Sequence, residues 1–244
     1  MNSMEKPKLE VCLSPALLHL YDTKGSVVVI IDIFRATSTI TAALHNGAAC
    51  VVPVATVARC IELGSTIEGS ITAGERDGRV AEGLQHGNSP LEYPADFVKG
   101  KKLILTTTNG TRLLHMVEDA DTIVIGSFLN LRAVCAYLIN RGKNVLLGCA
   151  SWKDRVNLED TLFAGAVVQE IGASFDINCD SARAARVLYE RASSEGLIEF
   201  LSDSSHYRRL SAFGLVHDME YCVSLDLHPV VPVLYGDEIQ VFHP

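Results

Sequence analysis

Apolar positions along the chain fall into short runs that alternate between strand-like and helix-like patterns. The run from Val27 to Ile31 is β-branched throughout, which is typical of a strand buried on both faces. By the same criteria, the pattern predicts strands over residues 8–13, 27–34, 50–54, 70–73, 101–106, 122–125 and 144–149. Between them it predicts helices over residues 37–45, 57–63, 110–117, 131–140 and 158–171.

The pattern changes after about residue 175, where helices predominate. We expect a hairpin at the end of the chain, turning at Gly236 and Asp237 between strands 230–235 and 238–242. The β-α alternation predicts a layered α/β fold with a mainly parallel sheet. We expect one domain over residues 1–244, whose helix-rich part from about 175 packs on that sheet. The helices predicted in this part cover residues 181–193, 196–201, 207–213 and 218–225.

Composition narrows the class of protein. Hydrophobic residues make up 48% of the chain and charged residues 20%, so a sizeable buried core is expected. The net charge of −8 disfavours nucleic acid and anionic membranes as partners. Seven widely spaced cysteines without a C-x-x-C pair, and no signal-like segment, predict a cytoplasmic protein. The sequence is compatible with a homo-oligomer.

Polar and charged residues follow the predicted strands, where open α/β sheets bind ligands. Because the carboxyl ends of parallel strands share one edge, we expect these residues to meet in one pocket. Arg35 and Arg76 could grip oxyanions, and the threonine-rich segment 106–111 could surround a phosphate. Oxygen ligands for Mg²⁺ could come from Asp32, Glu75, Asp77, Glu159 and Asp160. Together these groups indicate phosphoryl transfer.

Simpler interpretations compete with each of these assignments. Asp32 and the threonines could cap helices, and Glu159 with Asp160 could complement a helix dipole. The histidines, His206 among them, show no metal-ligand spacing and are expected at the surface or in the core. Cys149 and Arg155 have the spacing of cysteine-dependent phosphatases. The loop between them has no glycine and includes Asp154, which would repel a phosphate, so we disfavour a cysteine mechanism.

Five segments, in the same order, resemble the 2-phosphosulfolactate phosphatases. They cover residues 32–40, 73–78, 87–91, 106–111 and 158–160. The resemblance extends from about residue 10 to 235 and includes Asp218, Asp226 and segment 231–233 near its end. It implies a three-layer α/β/α fold with a mainly parallel or mixed sheet. It also implies an Mg²⁺-dependent hydrolase that converts 2-phospho-3-sulfolactate to 3-sulfolactate and phosphate, on a route to coenzyme M.

The positions that match the family pattern receive roles from the chemistry of their side chains. The expected catalytic residues are Asp32, Arg35, Glu75 and Arg76. The expected substrate-binding residues are Asn88, Ser89, Thr107, Thr108 and Asn109. The expected metal ligands are Asp32, Glu75, Glu159 and Asp160.

Two departures from the family pattern lie near the expected pocket and leave the substrate open. Segment 84–86 precedes Gly87 where the family usually has Phe-Asp, and Ser151 follows Ala150 where it tends to have glycine. We therefore keep two alternatives, a phosphatase for another small phosphorylated hydroxy acid and a non-catalytic anion-binding protein on the same scaffold.

Overall fold

The computed structural model describes residues 6–76, 78–107 and 109–243. Its strands, numbered in chain order, are β1 (Leu9–Cys12), β2 (Val27–Ile31), β3 (Cys50–Pro53), β4 (Ile71–Arg76), β5 (Arg79–Val80), β6 (Lys102–Thr106), β7 (Thr122–Gly126), β8 (Val145–Cys149), β9 (Pro232–Tyr235) and β10 (Glu238–Val241). Its α-helices are α1 (Ala36–His45), α2 (Val57–Thr66), α3 (Ala95–Val98), α4 (Gly110–Met116), α5 (Leu131–Arg141), α6 (Leu158–Ile171), α7 (Asp180–Glu195), α8 (Leu197–Leu201), α9 (Ser205–Ser211) and α10 (Val216–Cys222). Short 3₁₀ helices cover Pro15–Leu20, Pro90–Glu92, Phe128–Asn130 and Gly172–Ser174.

Every strand and helix predicted from the pattern is present, with ends shifted by a few residues. The hairpin over Gly236 and Asp237 is confirmed, since β9 and β10 pair antiparallel on either side of this turn. The pattern did not predict β5 and α3, which are only two and four residues long. None of the helices in the described ranges is both long and apolar enough to span a lipid bilayer.

The ten strands form one mixed sheet, in the order β1-β8-β2-β7-β9-β10-β3-β6-β4-β5. Strands β1, β8, β2 and β7 form one parallel block, and β3, β6 and β4 form a second. The β9–β10 hairpin lies between the blocks and pairs antiparallel with both β7 and β3. Because three antiparallel steps separate the blocks, their strands run in opposite directions.

Helices cover both faces of the sheet and give the three-layer α/β/α arrangement that we expected. All five residues of β2 are buried, and successive side chains point to opposite faces. One face carries Val27, Val29 and Ile31 in a cluster with α5, α6 and α7. The other carries Val28 and Ile30 in a cluster with α1, α4 and the second block. The two blocks therefore share one inner core, built around α1 and α4.

Helices α6 and α7 pack closely because α6 has a glycine at their contact. A Cβ atom on Gly165 would lie well inside van der Waals distance of the Ala185 carbonyl, and 2.9 Å from Tyr189 Cβ. Helix α7 also packs against β1. The first of the C-terminal helices is thus fixed to the sheet through α6 and β1.

We predict that Gly165→Ala destabilises the protein, because backbone atoms of α7 cannot move aside without separating the helices. The free energy of unfolding should fall by roughly 1–3 kcal/mol or more in urea denaturation. Gly172→Ala is the matched control at the end of α6. Its new Cβ would meet only the flexible tip of Ile177, so a smaller loss is expected. Equal stability of Gly165→Ala and wild type would contradict the close packing.

Candidate active site

A small polar pocket lies where ends of both strand blocks meet the C-terminal helices. Its free volume is about 80 Å³, which suits a small molecule rather than a polymer. The residues that line it come from the ends of β2 and β6, from β4 and the turn after it, from the segment before the Pro90–Glu92 turn, from the loop after β8 and from α9. The lining residues are Asp32, Phe34, Arg35, Glu75, Gly78, Asn88, Thr107, Asn109, Trp152, Lys153, His206, Arg209 and Leu210.

Most of the residues expected at the site lie together in this pocket. They do not meet for the reason we expected, namely that parallel strands end at one edge of the sheet. Since the two blocks run in opposite directions, the ends of β2 and β6 do not lie on the same edge. Both blocks instead pack their inner faces on the core around α1 and α4, and this shared packing brings their ends together. The expected residues that line the pocket are Asp32, Arg35, Glu75, Asn88, Thr107 and Asn109.

Four expected residues lie beside the pocket without lining it, namely Arg76, Ser89, Glu159 and Asp160. Arg76 donates to the Glu75 carbonyl at 2.6 Å and to Thr106 Oγ1 at 3.2 Å. Ser89 caps the Pro90–Glu92 turn, where its Oγ accepts the Leu91 N–H at 3.2 Å. Thr108 and Asp77, which we also expected at the site, lie outside the described residues.

Asp32 is a buried carboxyl group in the lining of the pocket. It follows β2 and precedes α1, and only 6% of its surface is exposed. The pKa of Asp32 is raised to about 7, chiefly by burial and in addition by the charges of Glu75 and Glu159. His206 and the Ala36 N–H act in the opposite direction and lower this pKa. A cation beside Asp32 would therefore relieve an electrostatic cost.

Asp160, in the first turn of α6, ties together the loops that follow two neighbouring strands. Its Oδ1 accepts the Ile33 N–H at 2.9 Å, and its Oδ2 accepts the Ser151 N–H at 3.2 Å. Burial, followed by the charges of Glu159 and Asp32, raises the pKa of Asp160 well above its usual value. Because both oxygens already accept a backbone N–H, this side chain holds the two loops in place and does not itself line the pocket.

Glu159 is fully buried and pairs with a histidine from the C-terminal helices. Its Oε1 lies 2.5 Å from Nδ1 of His206, and its Oε2 has no hydrogen-bond partner. We expected His206 to be a surface or core residue, and it lines the pocket instead. No motif could have indicated this, because 47 positions separate the two residues.

Arg35 lines the pocket while its guanidinium pairs with Asp218 from α10. Both side chains are buried, with 5% and 11% of their surfaces exposed. The resemblance had included Asp218 without a role, and 183 positions separate it from Arg35. The ion pair connects the loop before α1 to the C-terminal helices and compensates part of the charge that Arg35 could offer to a ligand.

The loop after β8, which the sequence placed near the expected pocket, supplies two lining residues that had received no role, Trp152 and Lys153. Ser151, Lys153 and Asp154 have φ values of 58°, 51° and 61°, in the left-handed region that glycine favours. The loop is held by Ser14 Oγ, which donates to the Asp154 carbonyl at 2.9 Å, and by the bond from the Ser151 N–H to Asp160. This conformation places Trp152 and Lys153 over the pocket.

Two cationic side chains of the pocket lining lie over the Trp152 ring. The Arg209 guanidinium carbon is 3.9 Å from a Trp152 ring centroid, and Lys153 Nζ is 4.5 Å from one. We call Trp152, Lys153 and Arg209 the cationic rim. Their indole and alkyl surfaces limit the access of water, while their charges favour an anionic ligand.

Cys149 does not line the pocket. Burial raises the pKa of the Cys149 thiol well above its ordinary value, and the charge of Asp160 raises it further. A nucleophilic cysteine needs a lowered thiol pKa and access to the ligand, so the structure offers no support for a cysteine mechanism.

Comparisons with known proteins agree with this geometry. A sequence model of the 2-phosphosulpholactate phosphatase family matches residues 12–237, from the end of β1 to the turn of the β9–β10 hairpin. The chain belongs to the 2-phosphosulfolactate phosphatase family.

Relatives named probable 2-phosphosulfolactate phosphatase resemble the chain along most of its length. A protein of Clostridium perfringens strain SM101 is 37% identical over 238 residues, which cover 96% of each chain. One from Thermotoga petrophila is 42% identical over 206 residues, covering 84% of this chain and 88% of the relative. This member of the 2-phosphosulfolactate phosphatase family therefore spans nearly the whole length of its relatives.

We predict that Asp218→Asn destabilises this family member, because it leaves the buried Arg35 charge without its partner. The free energy of unfolding should fall by about 3 kcal/mol in urea denaturation. Arg35→Met combined with Asp218→Leu should cost clearly less than the sum of the two single changes. Glu195→Gln breaks the exposed Arg191–Glu195 pair and should change stability by less than about 0.5 kcal/mol. Additive losses at positions 35 and 218 would show that the pair is not coupled.

Proposed function

We propose that the chain is an Mg²⁺-dependent phosphatase that hydrolyses 2-phospho-3-sulfolactate to 3-sulfolactate and phosphate. The observation that supports this most directly is the combination of a buried carboxyl group, Asp32, with a cationic rim in one small pocket. The names of the relatives support the substrate. A cytoplasmic location and a place on a route to coenzyme M stay predictions from the sequence.

The pocket fits a magnesium ion that is bound partly by protein and partly by substrate. In the described ranges, no group of three or more His, Cys, Asp or Glu side chains could hold a metal by itself. Mg²⁺ does not require such a cage, since it usually takes one or two carboxylates, waters and phosphate oxygens. Asp32 and Glu75 are carboxyl groups in the pocket lining, and Glu75 Oε2 also accepts the Gly78 N–H at 3.0 Å. Asn88, another lining residue, has a buried Oδ1 without a hydrogen-bond partner.

Asp32 and Glu75 would hold the ion in this proposal, with the Asn88 oxygen nearby. When bound, the ion supplies positive charge that neutralises phosphate oxygens as the ester bond breaks. Glu159 and Asp160, the other expected ligands, would not bind the ion in this proposal and would position residues that line the pocket. Asp160 fixes two loops through backbone N–H groups, and Glu159 fixes His206.

The cationic rim fits the second half of a substrate that has several anionic groups. With the phosphate at the Asp32 end, Lys153 and Arg209 would face the carboxylate or sulfonate at the other end. A guanidinium offers paired donors to an oxyanion, and the Trp152 ring holds the Arg209 guanidinium in place. The rim therefore favours a phosphorylated sulfo- or carboxy-acid over a singly charged phosphate ester.

Turnover should depend on the divalent cation and on the anionic groups of the substrate. We expect phosphate release from 2-phospho-3-sulfolactate in the presence of Mg²⁺ and none in excess EDTA. Asp32→Asn should lower kcat/KM by at least 100-fold, because it removes a charged oxygen ligand. Faster turnover of another phosphorylated hydroxy acid would favour the alternative substrate. Binding of these acids without phosphate release would favour an anion-binding protein, and full activity in EDTA would contradict the metal requirement.

Arg209→Gln should impair the selection of the substrate more than the chemical step. For 2-phospho-3-sulfolactate we expect KM to rise roughly 10- to 100-fold with little change in kcat, because the remote anionic group loses its charged partner. Arg208→Gln is the matched control, since Arg208 is the exposed neighbour on α9. Unchanged KM in Arg209→Gln, measured by steady-state phosphate release, would place the second anionic group elsewhere.

A further inference from the structure

The pocket contains a histidine that the proposed function leaves without a role. His206 is 7% exposed and lines the pocket from α9. Its Nδ1 donates to Oε1 of Glu159 at 2.5 Å, and the Glu159 side chain is fully buried. A carboxylate on one ring nitrogen fixes both the tautomer and the orientation of an imidazole.

The second ring nitrogen of His206 is the one available to a ligand. Within the described part of the chain, Nε2 makes no hydrogen bond, and it is not among the buried atoms that lack a partner. The edge of the ring packs against Phe34, with centroids 6.0 Å apart and planes at 69°. Glu159 and Phe34 thus hold the ring in one orientation and leave Nε2 open to the pocket.

The position of His206 relative to the proposed phosphate site is suited to a reaction with the ester. His206 and Asp32 line the same small pocket, and the charge of His206 lowers the pKa of that carboxyl group. The imidazole therefore lies near the end of the pocket where Asp32 and Glu75 would hold the ion that binds the phosphate. Among the described residues that line the pocket with these two carboxyl groups, His206 is the histidine.

Resting on the proposed function, we infer that Glu159 and His206 form a dyad in which His206 donates a proton to the leaving oxygen of the phosphate ester. A phosphate ester of a secondary alcohol leaves as a strongly basic alkoxide, so protonation of this oxygen lowers the barrier. Glu159 does not touch the substrate in this proposal and acts as a positioning residue.

The step balances without a further reactant. A water oxygen bonds to phosphorus as the bond between phosphorus and the ester oxygen breaks, and the electron pair of that bond goes to the ester oxygen. This oxygen takes the proton from Nε2 and leaves as the alcohol. The products are the hydroxy acid, H₂PO₄⁻ and neutral imidazole, which regains a proton from solvent.

A purely structural role for the dyad makes a different prediction. The Glu159–His206 pair also joins α6 to α9, so its removal could loosen the pocket as a whole. Such loosening would slow every substrate equally, whatever its leaving group. Loss of a proton donor slows only those substrates whose leaving oxygen needs a proton.

The test compares two phosphate donors with different leaving groups, 2-phospho-3-sulfolactate and acetyl phosphate. Acetate leaves readily without a proton and is small enough for the pocket. In His206→Gln, which removes the titratable imidazole, we expect kcat to fall 100- to 10,000-fold on the alkyl ester and less than 10-fold on acetyl phosphate. Glu159→Gln should show the same selective loss at about 10-fold. His217→Ala, at an exposed histidine on α10, is the control and should match wild type.

Two further measurements distinguish a proton donor from a metal ligand and from a structural residue. Calorimetric titration should show that His206→Gln binds Mg²⁺ as wild type does. In His206→Ala, added imidazole should raise the activity of the variant on the alkyl ester at least tenfold. If wild type hydrolyses both donors, equal losses on both in His206→Gln overturn the inference. If wild type does not use acetyl phosphate, absence of rescue by imidazole overturns it. If wild type releases no phosphate from the alkyl ester with Mg²⁺, the proposed function itself fails.

Discussion

The burial of three carboxyl groups in one small region is the constraint on which this site depends. Asp32, Glu159 and Asp160 have at most 6% of their surfaces exposed. Beyond the effect of burial, the charge of Glu159 raises the pKa of both Asp32 and Asp160, and the charge of Asp32 raises that of Asp160. A buried carboxyl group must find hydrogen-bond donors or a cation, or else remain protonated. Asp160 accepts two backbone N–H groups and Glu159 pairs with His206, yet the pKa values of both Asp32 and Asp160 stay raised. The partners of these groups therefore determine how the surrounding segments pack.

This constraint makes the C-terminal helices part of the site. His206 and Arg209 on α9 line the pocket, and Asp218 on α10 pairs with the buried Arg35. The contacts between these helices and the core are consequently polar as well as apolar. A change that displaces α9 or α10 would expose an unpaired charge, which costs more than the loss of apolar contact alone.

Local patterns were sufficient to predict the elements of the fold, but not how distant elements meet. The β-branched run of β2 and the turn at Gly236 and Asp237 depend on neighbouring residues, so the sequence shows them directly. The position of the hairpin between two opposed parallel blocks depends on strand pairing over long distances, which no local pattern encodes. His206 and Asp218 were left without roles for the same reason, since their partners lie far away in the sequence. Asp32 and Glu75 were easier to identify because each stands at a strand end.

Buried polar atoms without hydrogen-bond partners, and residues with unfavourable backbone conformations, lie mostly at or next to the pocket. Among the described residues, four buried side-chain atoms lack a hydrogen-bond partner, and two of them, Asn88 Oδ1 and Glu159 Oε2, belong to the pocket lining or to the partner of His206. A third, Ser151 Oγ, begins the loop whose left-handed residues place Trp152 and Lys153 over the pocket. Unsatisfied groups and backbone strain each lower stability, and folded proteins usually tolerate them where they serve binding or catalysis. A cation together with a phosphorylated acid would supply the charge and donors that this region lacks. The buried carboxyl groups lower the stability of the protein without ligand. Binding of the ligand would offset this loss, so the same groups favour binding.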